Sequence, residues 1–187
     1  MTMQMISMVQ RRSDGRSHRS QVVRRVNDVL ESFVQQGVFQ QVHFGKVRVG
    51  RMTHRVLWHH NRLYRFVLDL DAGAVMFPSF LPATLPPQLL RELRCFLRPV
   101  PAHGCGDRNQ LDPEKGELRV FVQHGTLTLS ITVTRDAYEY CMEQLVRFAD
   151  GILNSFLEQP AYLDYRANSF LGAGAGTEVE RRESAAR

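Results

Sequence analysis

Apolar residues recur at spacings of three and four from Ser20 to Gln36. Val22, Val26, Val29, Leu30 and Phe33 share one helical face with Val23 and Val34, while Arg24, Arg25, Asp28 and Glu31 fall mostly on the other. This predicts an amphipathic helix that Gly37 stops. From Val38 to Phe77 the period falls to two. VHFGKVRV predicts a first strand over 42–49, with an irregularity at Gly45 where the apolar parity shifts. THRVLWHH and LYRFVLDL then flank Asn61-Arg62, the two-residue connection of a hairpin. Tyr64, Phe66, Leu68 and Leu70 share one face of the third strand; Arg65, Asp69 and Asp71 share the other with Val67. After the turn Asp71-Ala72-Gly73, AVMF is either a short returning strand or the crossing into the next layer.

Pro78, Pro82, Pro86 and Pro87 argue against continuous sheet, because each removes an amide hydrogen and fixes φ. Pro87 suits the first turn of a helix whose buried stripe is Leu89, Leu90, Leu93, Phe96 and Leu97. Residues 101–116 read as a long polar loop and the site of mobility in the middle of the domain. Between 117 and 133, alternation on both sides of His124-Gly125 predicts a hairpin. Asp136 and Glu139 have capping-box spacing at the head of a last helix running through Phe156, with Glu143 and Arg147 placed to pair on its surface. Gly151 interrupts this helix, Pro160 is its expected end, and Tyr162, Leu163 and Tyr165 form a coda that packs back. The order is helix, three strands, helix, two strands, helix. Without repeated strand-helix-strand spacing, the predicted class is α+β, a largely antiparallel sheet packed by helices. The expected domain spans 20–168, with a disordered basic segment at 1–19 and a disordered tail at 172–187.

Composition narrows the function classes. The chain has 187 residues, 43% of them hydrophobic and three of them cysteines, which excludes a disulfide-framed miniprotein and a wholly disordered chain. No window resembles a signal peptide or a membrane span, so a cytoplasmic protein is expected. The net charge of +5 is unevenly spread: residues 1–19 carry +3, residues 20–110 carry +6 and residues 111–171 carry −4. A basic front and an acidic back suit an electrostatic partner surface or a self-complementary dimer.

Candidate chemistry is sparse. A zinc site would combine His103, Cys105 and Cys95 with a strand histidine, His54, His59 or His60, but the paired spacings of zinc motifs are absent and adjacent strand residues point to opposite faces. Cys95 and Cys141 suit core or boundary positions on helices. Asp69 and Asp71 share a strand face as a pair of carboxylates could in acid-base chemistry, and they also suit a turn, with one of them pairing to Arg65. There is no G-x-S-x-G elbow and no phosphate loop. No cofactor is expected, and no catalytic residue is assigned. Arg48, Arg51, Arg55, Arg62 and Arg65 cluster in one sheet region near Trp58 and Tyr64, which could serve as stacking platforms. Arg48, Arg55 and Arg65 are therefore the candidate nucleic-acid contacts.

The element order of residues 20–160 resembles that of the small bacterial type III secretion chaperones and related chaperone-like domains. That resemblance implies a cytoplasmic homodimer presenting apolar grooves to a partly unfolded client, with no catalytic residues. The expectation is a noncatalytic protein-binding module that self-associates, joining apolar sheet surface across a twofold axis or basic front to acidic back. Single-stranded nucleic-acid binding is the alternative, and a small hydrolytic enzyme the third reading.

Overall fold

The computed structural model describes residues 3–82, 84–97 and 111–167, with side chains from residue 17 onward. The fold is α+β, with helices packing on an antiparallel sheet. Its order is helix, four strands, helix, two strands, helix, so the fourth strand corrects the expected count. By contacts the chain divides into two compact units: residues 1–84 with 99–149, and residues 85–98 with 150–187. No helix among the described residues is long and apolar enough to cross a membrane.

In the first unit, α1 (Met3–Gln35) precedes β1 (Gln41–Phe44), β2 (Arg51–Trp58), β3 (Arg62–Asp69) and β4 (Ala74–Pro82); β5 (Gly116–Gln123), β6 (Thr126–Val133) and α3 (Tyr138–Gly151) follow. All neighbours in the sheet are antiparallel, in the order β1-β2-β3-β4-β6-β5. On α1 the residues Val22, Val26, Leu30 and Phe33 are buried, matching the predicted stripe. Phe33 meets Phe39, which contacts Trp58 and Phe66, and Phe66 stacks on Phe77 with 5.0 Å between centroids. This aromatic chain, with Leu129 and Ile131 of β6 and Met142, Leu145 and Val146 of α3, forms the buried interior of the unit. Burying such side chains is the main favourable term in folding.

Several local expectations are corrected. The helix does not start at Ser20, because residues 3–19 are helical as well. Within them His18 reaches Asp136 at 3.0 Å and Arg19 reaches Asp71 at 2.8 Å. The prolines do not exclude the sheet either: Pro78 and Pro82 lie in β4, which pairs with both β3 and β6. The β4–β6 register shifts between Phe77 and Leu81, and an irregularity of that kind accommodates a residue without an amide hydrogen. The β2–β3 connection has three residues, since Trp58 pairs with Arg62, and His59, His60 and Asn61 all take positive φ. The β5–β6 turn is the expected His124-Gly125, both at positive φ.

The capping box does not form. Cys141 N–H donates to the Ala137 carbonyl, which places Ala137 at the cap and Asp136 one residue outside it at φ +59°. The Asp136 carboxylate instead accepts from Arg25 at 3.2 Å, and Glu139 lies 2.7 Å from the same guanidinium. The basic front and acidic back therefore meet inside the chain.

In the second unit, α2 (Pro87–Phe96) begins on Pro87 as expected and buries Leu89, Leu93 and Leu97. Cys95 on this helix is exposed, not at a core position. A π-helical turn covers Ile152–Phe156, closed by Leu157 N–H donating to the Ile152 carbonyl. Pro160 then opens a further helical segment, 160–167, where the sequence places an end. Phe156 lies against Phe96 and Tyr162.

Candidate functional site

Alternation sorts the side chains of β2 into two sets. Met52, His54, Val56 and Trp58 are buried, while Arg51, Thr53 and Arg55 are exposed on the opposite face. Register then aligns that second face across strands: Arg55 stands opposite His43 of β1 on one side and opposite Arg65 of β3 on the other. Directly opposed residues of antiparallel strands are separated by only about 5 Å. The result is a cationic row that runs across three strands.

Loop 45–50 closes one side of this face. Gly45 N–H donates to the Thr53 carbonyl at 3.1 Å, and a β-carbon at Gly45 would lie 2.3 Å from that oxygen, so only glycine permits this approach. The predicted long first strand therefore ends at Phe44, and Val47 and Val49 are exposed in the loop. Arg48 and Arg51 exchange backbone hydrogen bonds of 2.7 and 2.9 Å, closing a tight return. Gly50 in this return has φ +68°, and a side chain there would strike the Asp71 carboxylate. Lys46 and Arg48 are thereby brought beside β2, and the resulting open concavity has a volume of about 590 Å³.

Five cationic residues line it: Lys46, Arg48, Arg51, Arg55 and Arg65, together with His43 and Thr53, while the Phe44 ring turns to the other face against His54. Only Arg51 has an acidic partner among the described residues. Its Nε lies 2.5 Å from Asp69 Oδ2. Asp69 is 2% exposed, and its other oxygen accepts the amides of Asp71 and Ala72. Burial alone would raise the Asp69 pKa, but the Ala72 amide, the Arg51 guanidinium and the Asp71 amide together hold it below the usual carboxylate range.

The three arginines nominated from sequence, Arg48, Arg55 and Arg65, thus converge on one concavity with Arg51. Arg62 does not join them. Trp58 and Tyr64 are no stacking platforms for this face: Trp58 is 3% exposed and lies in the aromatic interior, 5.8 Å from Tyr64. Of the carboxylates, Asp69 shapes a turn and pairs with Arg51, not Arg65, while Asp71 pairs with Arg19. His54 is fully buried and His59 and His60 occupy the hairpin; His103 and Cys105 lie outside the described residues. No group of three or more metal-ligating side chains converges among the described residues. The buried Cys141 thiol donates to the Lys115 carbonyl, and its burial pushes the thiol pKa up to about 11, which makes it a poor nucleophile. Sequence reasoning missed His43 and Thr53 as lining residues, since their place depends on strand register.

Comparisons of the chain with protein families, with curated proteins and with solved structures find no match.

Proposed function

We propose that the chain is a noncatalytic module that binds single-stranded nucleic acid, with its phosphates held in the concavity of β1–β3. The observation that carries this reading is the direct opposition of Arg55 and Arg65, flanked by His43, with no acid beside them. Like charges directly opposite across strands destabilise a sheet. An anionic ligand removes that cost on binding. Lys46 and Arg48 stand over the same space. A small concave patch fits a flexible strand better than a duplex, whose grooves call for a protruding helix or ribbon. The client-binding reading calls for an apolar groove, and this concavity is cationic. The cytoplasm is the setting proposed with this reading.

Fluorescence anisotropy with labelled oligouridylate and oligothymidylate of about ten nucleotides tests the proposal. Four cations without acidic partners predict a slope of about −3 for log K against log salt. Replacing Arg48, Arg55 and Arg65 together with glutamine should weaken binding at least about tenfold and flatten the slope by about two. Absence of binding at low salt, unchanged binding by the triple variant, or full competition by millimolar inorganic phosphate would each overturn it.

A further inference from the structure

We propose that β5 is a self-association edge, along which two copies of the chain pair antiparallel about a twofold axis at Val120. β5 is one border of the sheet, and among the described residues it pairs only with β6. The Lys115 carbonyl accepts from Thr134 on the β6 side, so alternation turns the backbone groups of Leu118, Val120 and Val122 outward. The Gly116 amide, next in that outward series, is already taken by the Asp112 carbonyl.

Natural edges are blunted by shortness, proline, lysine or a bulge. The opposite border, β1, has four residues and ends at Phe44, before Gly45. β5 has eight residues, GELRVFVQ, without proline or lysine, and its register with β6 is unbroken. It also exposes Phe121 by 40% and Val122 by 58%, on opposite faces of the strand.

The strand is complementary to itself. With the axis at Val120, Leu118 faces Val122 of the partner subunit, Arg119 lies over Phe121 of the partner subunit, and Glu117 faces Gln123 of the partner subunit. All three outward residues then pair, forming about six backbone hydrogen bonds. An axis at Arg119 would set the two arginines against each other, and an axis at Leu118 would call on the occupied Gly116 amide. Apolar-apolar and cation-aromatic cross-strand pairs each add to sheet stability. An interface of one strand edge is small, so the expected dissociation constant is on the order of 10 μM.

The register chain Thr53, Val67, Met76, Ser130, Arg119 puts Arg119 on the same sheet face as Arg55 and Arg65. A twofold at β5 therefore leaves both basic concavities on one face of the joined sheet.

Sedimentation velocity from about 1 to about 200 μM tests the proposal, the range bracketing the expected constant. The mass should climb from 21.5 kDa toward twice that value. Val120→Pro removes an amide hydrogen that points away from β6, and Val122→Lys sets a charge against the apolar partner. Both should sediment as monomers with unchanged far-ultraviolet circular dichroism. If Val120→Pro fails to fold, Val122→Lys decides. A wild type that stays at the monomer mass throughout, or a folded Val122→Lys that dimerises like wild type, overturns the proposal.

Discussion

Acid should weaken this fold through the buried imidazole of His54. His54 is fully buried on β2, in register with Phe44 on one side and Phe66 on the other. The Phe44 ring stands edge-on at 5.7 Å, and neither ring nitrogen of His54 has a hydrogen-bond partner among the described residues. Burial lowers the imidazole pKa from 6.5 to about 4. The unfolded chain binds this proton near the ordinary histidine value and the folded chain only near 4, so between the two the unfolded state carries more protons. Stability is therefore full above about pH 6.5 and falls as the pH drops through that window. At about 1.4 kcal/mol per pH unit, the whole gap amounts to about 3 kcal/mol, of which about 2 kcal/mol is lost between pH 7 and pH 5. Urea unfolding at pH 7, 6 and 5, compared between wild type and His54→Leu, measures it. Leucine fills a similar volume without a titrating group, so the variant should gain about 2 kcal/mol on wild type by pH 5. Parallel losses in the two proteins, or a His54 proton resonance titrating near pH 6.5 in the folded state, would refute the reasoning.

Gly45→Ala forces a β-carbon against the Thr53 carbonyl, so urea unfolding should show a loss of about 1–3 kcal/mol, with weaker oligonucleotide binding as Lys46 and Arg48 shift. Asp69→Ala removes the acceptor of two turn amides as well as the Arg51 pair and should cost about 1–3 kcal/mol in the same assay, whereas Asp69→Asn keeps an acceptor and should recover much of the loss. Because the Asp69 carboxylate is held below its ordinary value, its stabilisation is present above the unfolded carboxylate range and disappears as the pH falls through the depressed folded value. The loss from Asp69 therefore follows that from His54 on acidification and should appear as a separate, lower-pH step.

The stripe on α1, the β5–β6 hairpin and the buried stripe of α2 were legible along the chain because each rests on contacts between near neighbours and a period of 3.6 or 2. The segregation of Arg55 and Arg65 from Val56 and Phe66 was legible for the same reason, since parity along a strand is a local property. Tertiary structure alone decided what each element meets. β4 carries two prolines and reads as a connector by local rules, yet it becomes an interior strand because β6, about fifty residues later, supplies its second partner. Asp136 and Glu139 have the spacing of a cap, but Arg25, 111 residues away from Asp136, holds both carboxylates. The concavity arises in the same way. Parity puts His43, Arg55 and Arg65 on strand faces, but only the β1–β2 and β2–β3 registers align them in one row, and only the close approach of Gly45 to Thr53 brings Lys46 and Arg48 beside it. Periodicity states which way a side chain points; the pairing of strands, chosen by burial across the whole sheet, determines which side chains become neighbours.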